Sequence, residues 1–126
     1  MAAEQLRIVE VAAESTSTFG RVLASARQHH FVIDGPAQNG CPGEALTPPE
    51  AFLAGVAACG VELLQVIARD QNVPLESVSA GITGVIDRAH PVRPDLTLFN
   101  SVRLSLRVRG PTQAQAEALV YAFKRR

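Results

Sequence analysis

Thr47-Pro48-Pro49-Glu50-Ala51-Phe52-Leu53-Ala54-Gly55-Val56-Ala57-Ala58-Cys59-Gly60-Val61 decides the fold. Proline is preset for the first helical turn, so a helix starts at Pro48 or Pro49. Thr47 stands where an N-cap is needed, and Glu50 puts a carboxylate at the positive end of the helix dipole. The pattern carries the helix to about Asn72, with Pro74 just beyond. Between Ala51 and Val61 every face is apolar, which predicts a helix covered on all sides. Gly55 and Gly60 each cost about 1 kcal/mol relative to Ala inside a helix, so another part of the structure is expected to approach closely there.

Upstream, Leu6 to Val11 reads as a strand, and Phe19 to Leu23 and Phe31 to Ile33 as shorter ones. From Asp34 to Pro49 the chain is rich in Gly and Pro and reads as an irregular loop. Downstream, Val78, Ala80, Ile82, Gly84 and Ile86 alternate along one strand. Leu96, Leu98, Asn100, Val102, Leu104, Leu106 and Val108 alternate along another, with Arg103, Ser105, Arg107 and Arg109 on its opposite face. Period-two patterning with one wet side means antiparallel sheet. A last helix from about Thr112 buries Ala116, Leu119, Val120 and Phe123. The order predicts an α+β fold, with helices packed on one face of antiparallel sheet, in a single domain spanning residues 1–126. So small a sheet covers one side of the long helix. A second copy, related by a two-fold axis, is the expected cover for the rest.

The 126 residues are 47% apolar and carry 12 basic and 12 acidic side chains. That balance excludes a disordered chain and gives no reason to expect a nucleic-acid or anionic-membrane partner. Five Phe, one Tyr and no Trp make no stacking platform for bases. The uncharged stretch Ala51–Val61 is about half a membrane span. Met1 to Arg7 has neither the basic nor the apolar region of a signal peptide. A cytoplasmic protein is expected. Two cysteines are too few for a disulfide scaffold or a zinc cluster, and His29, His30 and His90 have no metal-ligand spacing with them. No metal and no cofactor are expected.

Cys59 has two readings, a small core hydrophobe or a nucleophile. A cysteine in apolar packing is inert unless a cation or a helix N-terminus stabilises its thiolate. Cys59 is too far along its helix for its own N-terminus, so activation needs an arginine from elsewhere. Glu50 either compensates the helix dipole or orients such an arginine. Nine residues separate the two, roughly half a turn around the axis. Glu62, three residues beyond Cys59, opposes a thiolate unless neutralised. Cys41, in the loop, either fills a tight spot or resolves an oxidised Cys59 as a disulfide. Lys124, Arg125 and Arg126 suit a helix C-terminus.

Asp34-Gly35-Pro36, Asn39-Gly40-Cys41-Pro42-Gly43, Thr47-Pro48-Pro49-Glu50 and Leu53-Ala54-Gly55-Val56-Ala57-Ala58-Cys59 together resemble the OsmC/Ohr family of thiol peroxidases and their relatives. The resemblance implies an intertwined homodimer, with curved antiparallel sheets around long central helices and an active site between the chains. It implies that Cys59 reduces an organic hydroperoxide, that an arginine and Glu50 tune the thiolate, and that a dithiol regenerates the enzyme. Gly20-Arg21 best matches the arginine position, with Arg27 second. In the family, a second cysteine follows the last helix in a Cys-Pro context; here that place is reached at Phe123-Lys124-Arg125-Arg126. Glu50 stands nine residues before Cys59, against ten in hydroperoxide-resistance members, a spacing closer to the less characterised branch. The alternative the resemblance leaves open is a non-enzymatic dimer binding a small apolar ligand in the interchain cleft.

Overall fold

A computed structural model of the chain describes residues 5–125. The fold is α+β: strands β1 (Ala12–Ser15), β2 (Arg21–Ala26) and β3 (His29–Asp34), helix α1 (Pro48–Asp70), strands β4 (Ser77–Val85) and β5 (Ser101–Arg109), and helix α2 (Gln113–Lys124). The chain forms two compact units, one up to Ala51 and one from Phe52 onward.

The first unit is an antiparallel sheet in the order β1-β2-β3. β2 and β3 form a tight hairpin in which Ala26 pairs with His29. The two turn residues, Arg27 and Gln28, have φ of 57° and 96°. Two-residue hairpins favour positive φ because it matches strand twist, and Asn-Gly is the usual sequence that supplies it. The strand expected at Leu6–Val11 lies instead at Ala12–Ser15. The register explains the shift: Ala12 pairs with Ser25, so pairing before Ala12 runs off the end of β2 at the hairpin turn. Leu6, Ile8, Val9 and Val11 are left exposed. The strand expected from Phe19 begins at Arg21, because Phe19 and Gly20 form a turn in which Gly20 has φ 80°. Within the Asp34–Pro49 loop a single 3-10 turn covers Ala37–Asn39.

The second unit packs α2 and the C-terminal half of α1 on the β4-β5 ribbon. β4 alternates as the sequence pattern requires, with Val78, Ala80, Ile82 and Gly84 turned inward. In β5, Leu104, Leu106 and Val108 face in, and Arg103, Ser105, Arg107 and Arg109 face out. β5 starts at Ser101, not Leu96. The Asn100 side chain accepts from the Asp87 N–H (2.7 Å) and donates to the His90 carbonyl (2.7 Å), which ties the preceding residues into a loop. The core is Leu64, Ile67, Ala68 and Leu119, flanked by Val78, Leu106, Val108 and Phe123. Thr112 caps α2 through a reciprocal capping box with Gln115. Gly60 has the expected packing reason, since a Cβ there would sit 3.3 Å from Leu104 Cδ2. Gly55 has open space around it.

The expectation of a helix buried all round is not met within this chain. In α1 only Gly60, Leu64, Ile67 and Ala68 are buried, because the sheet covers one stripe near the C-terminal half. Phe52 and Val56 are exposed, although Phe52 stacks on Phe99 with ring centroids 5.8 Å apart. Among the described residues α1 alone is long and apolar enough to cross a bilayer by length and composition.

Gln28 at φ 96° occupies a backbone region that side chains rarely adopt. Gln28→Gly is therefore expected to stabilise the chain by up to about 1 kcal/mol, measured as a higher urea midpoint at unchanged m-value. A lower midpoint would show that the turn carries no such strain.

Candidate functional site

Arg21 opens β2, directly opposite Asp34 at the end of β3. Its Nε and Nη2 donate to the two Asp34 carboxylate oxygens at 2.8 and 2.9 Å, and Nη2 also donates to Glu44 Oε1 at 2.8 Å. Asp34 is fully buried. One of its oxygens additionally accepts the backbone N–H groups of Glu44 (3.0 Å) and Ala45 (2.9 Å). A buried carboxylate needs such partners, because an unpaired charge is costly out of water. The Arg21 guanidinium holds the Asp34 carboxyl well below the usual carboxylate range, helped by the N–H groups of Ala45 and Glu44 against the effect of burial. Asp34 and then Glu44 push Arg21 up in turn.

Cys41 lies in the same unit, half-buried against two glycines. A Cβ at Gly20 or at Gly35 would collide with its sulfur. The Gly35 N–H donates to the Gly20 carbonyl at 2.8 Å, so the backbone closes around the thiol. Of its two readings, this geometry matches the small residue at a tight spot. Arg27 sits at the exposed tip of the β2–β3 turn.

Glu50 accepts the Thr47 N–H and the Thr47 hydroxyl at 2.9 Å each, which completes one half of a capping box. The Thr47 hydroxyl thus donates to Glu50 where the N-cap expectation has it accept from the helix. These two bonds hold the Glu50 carboxyl below its ordinary value, the backbone one contributing most.

Cys59 is exposed in this chain, which removes the core-hydrophobe reading as far as the chain's own packing goes. It lines an open cleft of about 570 Å³ with Phe52, Gly55, Val56, Leu63, Phe123 and Lys124. The walls are apolar; among the described residues the charged side chain that lines the cleft is Lys124, from the last turn of α2. Such a cleft admits an apolar molecule to a thiol. Among the described residues no group of His, Cys, Asp and Glu could hold a metal ion.

Two features were missed in the sequence. Asp34 read only as part of a turn, since nothing in a lone Asp before Gly-Pro signals that the loop folds over it. Lys124 read as helix-end charge, because the approach of α2 to Cys59 is a tertiary fact.

The OsmC-like protein family model matches residues 41–126. The solved structures with the same fold include an OsmC-like protein from Mycoplasma pneumoniae, 16% identical, TM-score 0.81, covering 95% of this chain and 82% of that one. An organic hydroperoxide resistance protein OsmC from Legionella pneumophila is 28% identical, TM-score 0.66, covering 92% and 81%. An organic hydroperoxide resistance protein from Elizabethkingia anophelis is 16% identical, TM-score 0.70, covering 92% and 80%. No curated protein matches the chain in sequence. The matched region takes in the end of the Gly-rich loop, the Pro-Pro-Glu helix start, the cysteine-bearing helix and the antiparallel ribbon after it. The chain belongs to the OsmC-like family.

Asp34 has a depressed carboxyl in the folded state, so its contribution to stability is full above the unfolded carboxylate range near about 3.9 and is lost as pH falls below it. The urea midpoint should therefore drop between neutral pH and about pH 3. Asp34→Asn should lower it at neutral pH and flatten that dependence. A variant as stable and as acid-sensitive as the parent would dismiss this role.

Proposed function

We propose that this chain reduces organic hydroperoxides through Cys59, as a cytoplasmic homodimer regenerated by a dithiol. The observation that carries the reading is an accessible cysteine on a helix, inside an apolar cleft lined by Phe52, Val56, Leu63 and Phe123. Membership of a family that includes organic hydroperoxide resistance proteins supports it.

In the proposed reaction the Cys59 thiolate attacks the terminal peroxide oxygen and the O–O bond breaks. The alkoxide takes a proton from water and leaves as the alcohol. The sulfur is oxidised to a sulfenic acid and the peroxide is reduced. A dithiol then returns the thiol, giving its own disulfide and water. Arg21 and Glu50 are proposed to tune the thiolate, with their carboxylate and hydroxyl partners fixing the side chains. The cleft's apolar walls favour a bulky organic peroxide over hydrogen peroxide, which gains nothing from leaving water.

Homodimerisation is supported by surface that the chain leaves uncovered. Phe52 and Val56 on α1, and Leu6, Ile8, Val9 and Val11 before β1, are exposed. A soluble chain covers such surface by association. Sedimentation is expected to give a dimer at micromolar concentration, with Phe52→Glu shifting it toward monomer. A folded monomer in the parent protein would end this part of the proposal.

Stopped-flow consumption of cumene hydroperoxide tests the chemistry. Cys59→Ser should abolish it, Cys41→Ser should keep the first turnover, and the parent should react faster with cumene hydroperoxide than with hydrogen peroxide. Equal, slow rates with both peroxides would favour the alternative, a dimer binding a small apolar ligand in the same cleft.

A further inference from the structure

We infer that Lys124 is the cation of the Cys59 cleft: its ammonium faces the sulfur's surroundings, offsets a thiolate there and draws anionic reagents to it. The inference rests on the proposed role of Cys59 and adds a residue to that site.

Three observations carry it. First, Lys124 and Cys59 line one cleft, whose other walls are Phe52, Gly55, Val56, Leu63 and Phe123. A charge beside apolar walls acts more strongly than the same charge in open water, because the local dielectric is lower. Second, among the described residues no carboxylate pairs with Lys124, whereas Arg21 is shared between Asp34 and Glu44. Among the described residues no acidic side chain thus lies within ion-pair distance of Lys124. Third, Lys124 is the only lysine among 12 basic residues, the others being arginine. A flexible four-carbon stem lets its compact charged head reach into such a cleft. The competing account is that Lys124 only complements the C-terminal dipole of α2, where it is the basic residue of the last turn. That account predicts no effect at the sulfur.

Alkylation of the full-length protein separates the two. Rates with iodoacetate, an anion, and iodoacetamide, its neutral analogue, are measured at Cys59 and at Cys41 by peptide mass spectrometry. Cleavage after Glu44, Glu50 and Glu62 places the two cysteines on different peptides. In Lys124→Met the iodoacetate-to-iodoacetamide ratio at Cys59 should fall by about threefold to tenfold, the size expected for loss of a steering charge. The ratio at Cys41 should not move. Lys124→Arg should restore the Cys59 ratio, and raised salt should shrink the difference. An unchanged Cys59 ratio in Lys124→Met, or an equal fall at Cys41, would overturn the inference. No peroxide enters the assay, so its failure is distinct from failure of the peroxidase reading.

Discussion

Helix α1 carries apolar side chains around its whole circumference in its first half, and the chain's own sheet covers only a stripe of its second half. The buried residues Gly60, Leu64, Ile67 and Ala68 all lie past the midpoint. The exposure of Cys59 follows from that shortfall. Cys59 comes immediately before the buried stripe and faces an open cleft, so a residue type that is usually interred stays accessible. The cleft is apolar because α1 and α2 turn apolar residues toward the space between them. The same uncovered surface gives the dimer proposal its force, since burying apolar area is the dominant drive for association.

The first unit depends on a different kind of interaction. Asp34 is a buried charge whose oxygens are satisfied by one guanidinium and two backbone N–H groups. Those N–H groups belong to Glu44 and Ala45, in the middle of an otherwise irregular loop. A Gly/Pro-rich segment has little apolar surface with which to fold itself, so a fixed acceptor can do what a core does elsewhere. Cys41 adds a steric constraint, its sulfur seated where Gly20 and Gly35 lack side chains. The loop's glycines are thus read best by what sits against them.

How much was legible in the sequence follows from whether the signal was local. The start of α1, the alternation of β4 from Val78 to Gly84 and of β5 from Leu104 to Val108, and the buried face of α2 each rest on contiguous patterns and are found there, while Leu96 and Leu98 fall in the loop before β5. The strand placed at Leu6–Val11 failed because composition carries no register. Branched residues form a strand only where a neighbour remains to pair with, and β2 ends too early. The surroundings of Cys59 were legible only in kind. An apolar helix implies apolar neighbours, but whether they close over the sulfur depends on the tertiary packing of α2. Glu50 was legible in both its readings, and its bonds to Thr47 explain why they are hard to separate. A carboxylate that caps a helix is by that act held ionised and in one place, which is also what a partner for an arginine requires.

The two carboxylates on Arg21 differ in a way that bears on its proposed task. Asp34 is wholly buried and binds through both oxygens, whereas the Glu44 side chain is 76% exposed and binds through one. A bidentate, desolvated pair is a fixed part of the fold, while an exposed single contact is screened by water and salt. The guanidinium is therefore anchored on one edge and only lightly held on the other. An arginine so anchored keeps its position without surrendering every donor, which is the condition for serving structure and a developing anion with one side chain. Lysine meets the opposite requirement. Among the described residues the head of Lys124 has no ion-pair partner, and its inferred value lies in standing beside an apolar wall. A fold that places both kinds of cation in one chain separates rigid orientation from loose charge, and the chemistry proposed at Cys59 has use for each.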